Sequence, residues 1–200
     1  MKIATLGSCQ AMSLNWYIHQ LLPNSECKWV CCEFFKHWGD KSDSRYKTVH
    51  NDSWRSQVDH NIFDTGTGID YIKSADYIIY QKIRPSTSPL FNHEKIKLYA
   101  KTSAQLVSLT YIHYDKSASD PLQGMIEREE RLSPDIRISK LISEHPDREN
   151  FKFNAKGTHC NSTVFLEILR EICKKFNWAF FNDEEYIQIK EKYYPFGEKP

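Results

Sequence analysis

A cysteine stands in the turn Gly7-Ser8-Cys9-Gln10, which follows a short apolar run, Ile3–Leu6, and opens a stretch of helical spacing. A thiol at such a junction would feel the positive end of a helix dipole and unpaired backbone N–H groups, both of which favour thiolate. The same N–H groups could stabilise an oxyanion on a carbonyl under attack, with Ser8 and Gln10 as the neighbouring donors. Gly7 lets the chain turn sharply and lets a substrate approach the backbone. Cysteine is also among the most buried residue types, so Cys9 could equally be a packed, inert thiol. Position alone leaves both readings open.

A nucleophile needs a base, and eight histidines compete for the role. His159, in Lys156-Gly157-Thr158-His159-Cys160-Asn161, directly precedes a long apolar-striped helix. A loop-to-helix junction late in an α/β chain can return to the sheet edge that carries Cys9, and a Cys–His pair there would let imidazole take or give the proton. His19 falls on the apolar side of the first helix and is expected to be a core histidine. His37, His50, His60 and His93 lie in polar loops, His113 ends a strand, and His145 before Pro146 looks like a turn residue.

Rival chemistries lose their support one by one. Asn15 stands six residues after Cys9, where a cysteine phosphatase carries arginine. No Walker loop, G-x-G-x-x-G, H-E-x-x-H or G-x-S-x-G occurs, and Thr65-Gly66-Thr67-Gly68 is too short for a phosphate loop. Cys27, Cys31, Cys32 and His37 fall within eleven residues, but they lack the C-x2-C knuckle and lie on an expected strand. No metal is expected, and those cysteines read as small buried hydrophobes. The six cysteines are an even count, yet no secretory h-region precedes them, so free thiols and a cytoplasmic location are the expectation.

The elements that must position these residues alternate. Strands are expected over Lys2–Leu6, Lys28–Phe35, Tyr77–Ile83 and Gln105–His113. Helices are expected over Gln10–Leu22, Asp70–Ser74, His93–Lys101, Pro121–Leu132, Asp135–Glu144, Asn161–Phe176 and Asp183–Tyr193. Residues 36–68 show no sustained period and read as a flap, an irregular insertion or a region hiding helices. The pattern predicts one domain over 1–200, a three-layer α/β fold with a short, mostly parallel sheet flanked by helices and a helix-rich C-terminal half. Two hundred residues with 40% apolar and 26% charged composition supply a real core. A net charge of +1 provides no global field for nucleic acid or an anionic membrane. No run approaches the roughly 18 apolar residues of a membrane span. A homodimer is compatible with the sequence and required by nothing in it.

At Gly7-Ser8-Cys9-Gln10-Ala11, with Leu21-Leu22-Pro23 behind it, the chain resembles the WcbI-type polysaccharide-biosynthesis proteins, acetyltransferases of glycan assembly similar in their motifs to SGNH/GDSL hydrolases. That family opens with a strand, a Gly-Asn-Cys-Gln turn and a helix ending near Leu-Pro. A glutamine closes a later apolar strand, as Gln81 closes Tyr77–Tyr80, and a histidine motif precedes a C-terminal helix, as His159 does here. The nucleophile of the GDSL pattern falls on Cys9. Ser8 replaces the family's asparagine, Cys160 its proline, and Asn161 comes one place early. Lys156 holds the place of the aspartate that completes the SGNH triad. The resemblance implies an SGNH-like fold and transfer of an acetyl group from coenzyme A to the hydroxyl of a sugar or glycan acceptor. It gives Cys9 and His159 the catalytic roles, Ser8, Gln10, Gln81 and Asn161 the oxyanion or substrate contacts, and Gly7, Lys82 and Arg84 the cofactor contacts. An esterase, or a non-catalytic glycan- or nucleotide-binding module on the same fold, are the alternatives.

Overall fold

Every residue of the first strand from Ile3 to Gly7 is buried, which explains why its apolar run is continuous rather than alternating. In the computed structural model this strand, β1 (Lys2–Gly7), pairs in parallel with β2 (Glu26–Cys31) on one side and β4 (Tyr77–Gln81) on the other. A two-residue strand, β3 (Asn61–Ile62), pairs in parallel with β2, and β5 (Gln105–Leu109) completes the sheet order β3-β2-β1-β4-β5. The structure describes residues 1–32, 61–62, 64–154, 157–158, 160–179, 184 and 188. Within them lie six α-helices: α1 (Cys9–Leu21), α2 (Thr65–Ser74), α3 (His93–Tyr99), α4 (Gln123–Leu132), α5 (Ile138–Glu144) and α6 (Ser162–Phe176). The fold is therefore α/β with a parallel sheet flanked by helices, and the described chain after β5 is helical apart from loops.

The chain groups into two compact units, 1–15 with 24–106 and 16–23 with 107–200. In the first, the two faces of the sheet carry different partners. Ala4, Leu6, Val30, Cys32, Ile78 and Tyr80 form one face and pack with Tyr71 and Ile72 of α2 and Ile96 of α3. On the opposite face, Asn15 of α1 accepts from the Thr5 hydroxyl at 3.2 Å and from the Cys27 thiol at 2.8 Å. Cys27 and Cys32 thus serve opposite layers, and all six cysteines are buried and outside any disulfide. In the second unit α6 is apolar on most of its circumference, with Phe165 stacked on Tyr17 at a centroid distance of 5.5 Å.

The structure departs from the periodicity in instructive places. The α2 helix ends at Ser74 as expected but reaches back to Thr65, where Asp64 accepts from the Thr67 N–H at 2.8 Å and caps it. In α1, Met12, Leu14, Tyr17 and Ile18 are buried and carry the core, whereas Trp16, His19 and Leu22 are half-buried. β5 ends at Leu109 rather than His113, where the Thr110 hydroxyl turns to Glu129 at 3.2 Å. α5 starts at Ile138 rather than Asp135, whose carboxylate is held by the Ser108 N–H at 2.8 Å and hydroxyl at 2.6 Å. Residues 184 and 188 are helical; the rest of the expected last helix, the last residues 33–35 of the expected second strand, and residues 36–60 and 63 of the expected flap lie outside the described residues.

Candidate functional site

The order β3-β2-β1-β4-β5 makes the chain leave β1 and β4 toward opposite sides of the sheet. Open parallel sheets hold their ligands at such a switch point, beyond the carboxyl ends of the strands. Gly7 ends β1 and Gln81 ends β4 at that edge, so the parallel register brings together residues 74 positions apart. Gln81 Oε1 accepts from the Ser8 N–H at 2.7 Å, and Gln81 Nε2 donates to Gln10 Oε1 at 3.1 Å. The Gln10 N–H donates to Ser8 Oγ at 3.3 Å, which caps the start of α1. Gly7, Ser8, Cys9, Gln10 and Gln81 therefore form one buried cluster.

Gly7 is dictated by this arrangement. Its φ of +143° is one that side chains rarely adopt, and a Cβ there would lie 2.3 Å from Gln81 Oε1. The Trp29 indole N–H donates to the Gly7 carbonyl at 3.2 Å, so the turn is held from β2 as well.

Cys9 opens α1, as the sequence suggests, but its electrostatics are not those of a resting thiolate. Burial pushes its pKa up to about 11, outweighing the opposing pull of the Gln10 backbone, the Ser8 side chain and its own N–H. The Ser8 N–H, the Gln10 N–H and the Gln81 amide, three of the expected oxyanion donors, are already engaged with one another. In this arrangement Gln81 clasps the turn with its oxygen and one of its two amide N–H groups.

The remaining expected residues are placed separately. Lys82 is half-buried and Arg84 exposed, both in the loop that follows β4. Asn161, in the second unit, sits at the N-cap of α6 without a capping side-chain bond. Its Nδ2 donates to the Asn150 carbonyl at 2.8 Å, and its buried Oδ1 has no hydrogen-bond partner. His159 and Lys156 lie outside the described residues. Among their described neighbours, Phe153 and Cys160 form an isolated bridge, and Gly157 has a φ of +66° and a close approach to the Tyr114 carbonyl that exclude a side chain.

Asn15 and Trp29, which fix α1 and the turn, escaped the sequence reading; a polar residue on a buried helix face was the available signal for the first. Glu129 also escaped it. This buried carboxylate accepts from the Ile138 and Ser139 N–H groups at 2.7 and 3.1 Å and from the Ser139 hydroxyl. It bridges α4 to α5 and is a structural group. No protein-family model, curated protein or solved structure matches the chain.

Proposed function

We propose that the protein is a coenzyme A-dependent O-acetyltransferase that acts on a sugar hydroxyl in glycan synthesis. The observation that carries the reading is the Gly7-Ser8-Cys9-Gln10 turn at the switch point, clasped by Gln81 from the neighbouring strand. It is supported by the resemblance of these residues, and of His159, to the WcbI-type proteins. Lys82 and Arg84, in the loop after β4, are the cations proposed for the cofactor phosphates.

The protonated state of Cys9 favours direct transfer over an acyl-enzyme. In that route His159 takes the proton of the sugar hydroxyl as its oxygen attacks the thioester carbonyl. The carbon–sulfur bond breaks, and the departing coenzyme A thiolate recovers a proton from the imidazolium.

Calorimetric titration with acetyl-coenzyme A, with intact mass read in parallel, tests this. Direct transfer predicts binding, no acetyl adduct on the protein, and an acetylated sugar product that disappears in His159→Ala. A stable adduct absent from Cys9→Ala would move the chemistry to the thiol. Binding of neither coenzyme A nor acetyl-coenzyme A would overturn the assignment. The second reading, a non-catalytic binding module, is favoured by the engagement of the Ser8 and Gln10 N–H groups within the turn, and detection of any acetylated product would remove it.

A further inference from the structure

The crevice at the switch point has two walls. One is the turn from β1 into α1, which Cys9 opens; the other is the connection from β4 to α3, residues 82–92. The first residue of α3 is His93, so the fold brings an imidazole to the edge of the sheet that carries the Gly7-Ser8-Cys9-Gln10 turn. Among the described residues of the first unit it is the one histidine. We infer that His93 is a proton acceptor of this crevice, serving water as the nucleophile that attacks a bound acetyl group. The inference rests on the acetyl-coenzyme A reading and adds to it a hydrolytic step that does not run through His159.

The ring is held in the form that a base needs. The Ile83 carbonyl accepts from the His93 backbone N–H at 3.3 Å and lies 3.0 Å from Nδ1. A carbonyl oxygen only accepts, so Nδ1 carries the hydrogen and Nε2 keeps the lone pair of the neutral imidazole. Nε2 has no hydrogen-bond partner among the described residues, and Glu94 Oε1, at 4.0 Å, is too far to be one. The side chain is 28% exposed, so the ring is neither sealed in the core nor loose in solvent.

The start of α3 is fixed from behind as well. Asn92 accepts from the Glu94 and Lys95 N–H groups at 3.1 Å, and its amide donates to the Ser88 and Pro89 carbonyls at 2.9 Å. These bonds tie the helix to the loop before it, and the imidazole is oriented before any substrate arrives. The step then balances without another reactant. Nε2 takes a proton from water as the water oxygen bonds to the thioester carbonyl carbon. The carbon–sulfur bond breaks, the coenzyme A thiolate recovers the proton from Nε2, and acetic acid and coenzyme A are the products. Nδ1 keeps its hydrogen and its bond to Ile83 throughout.

The test is incubation of the full chain with acetyl-coenzyme A and no sugar. Released thiol is followed with a chromogenic disulfide, and binding is read by calorimetry. Thiol should appear faster than without protein. His93→Asn retains a side-chain donor for the Ile83 carbonyl and removes the Nε2 acceptor. It should keep the urea midpoint and the affinity for acetyl-coenzyme A, and lose about a hundredfold in kcat. His93→Ala should lose as much, and imidazole in the buffer should restore part of its rate, which it does not do for a residue that only supports the fold. Thiol release at the wild-type rate in both variants overturns the inference, as does a slow His93→Ala that imidazole leaves unchanged. Binding of acetyl-coenzyme A without thiol release overturns it while the cofactor reading stands. Absence of binding removes the cofactor reading and this step with it.

Discussion

At the scale of the residue, the site depends on one amide. Gln81 answers the Ser8 N–H and Gln10 Oε1 at once, inside a cluster that water does not reach. Gln81→Leu should leave the buried Ser8 N–H without its acceptor and cost about 1–3 kcal/mol, the penalty of an orphaned polar group, read as a drop in the urea midpoint. Gly7→Ala should cost at least as much by another route. The methyl would strike Gln81 Oε1 and the backbone would keep a φ that alanine resists, adding about 1–3 kcal/mol of strain. If Gly7→Ala unfolds at the wild-type midpoint, the clasp described here is wrong. The identities of these residues were legible in the sequence: a glycine-led turn after an apolar run, and a glutamine closing another. That Gln81 reaches the turn was not, because it depends on a register between strands far apart in the chain. Burial of Cys9 was one of the two readings the sequence left open, and the fold chooses it.

At the scale of the element, the apolar runs announced β1, β2 and β4 to within a few residues, since buried parallel strands are continuous in hydrophobicity. Helix starts were harder, because they are set by single caps and by contacts from elsewhere. Asp64 begins α2 across two glycines that the eye takes for a loop. Gly68 is retained there for space: a Cβ would lie 2.8 Å from Val30 Cγ1 and 3.2 Å from the Phe91 ring. Two effects oppose each other in Gly68→Ala. Helix propensity gains about 1 kcal/mol, whereas overpacking against the sheet costs about 1–3 kcal/mol. The contact with Val30 is below any normal Cβ approach, so net destabilisation is expected, whereas Gly124→Ala, with nothing within 4 Å, should stabilise the protein. Measured by thermal melting, a rise in Tm for Gly68→Ala would show that α2 does not pack as described. Asn92 caps α3 by accepting from the Glu94 and Lys95 N–H groups at 3.1 Å, while its amide donates to the Ser88 and Pro89 carbonyls at 2.9 Å. Asn92→Ala should therefore lie at the upper end of the ~0.5–2 kcal/mol cost of a lost cap.

At the scale of the whole molecule, buried thiols make stability depend on alkaline pH. Cys9 and Cys173 are pushed up to about 11 by burial, and Cys27, donating to Asn15 beneath α1, is pushed up further. The Tyr71 hydroxyl is raised too, by burial first and then by Glu26, Cys27 and Asp76. Each raised acid keeps its proton in the folded chain after the unfolded chain has released it. The folded state then binds more protons between the two pKa values, so stability falls as pH rises. Below the ordinary thiol pKa of 9.0 the contribution is complete; for Cys9 it is lost between there and about 11, a total approaching roughly 3 kcal/mol. Urea midpoints should be flat up to about pH 8 and fall steeply by about pH 10.5. Lysine titration bends such curves as well, so the discriminating quantity is the difference between proteins. Cys27→Ala should start less stable at neutral pH, because a buried thiol and its bond to Asn15 are gone, yet lose less on going to high pH. Cys9→Ser should flatten the curve in the same sense, its hydroxyl having no proton to lose in this range. Parallel curves for wild type and both variants would mean that neither thiol is held neutral by the fold, and with that the case for direct transfer beside a protonated Cys9 would fall.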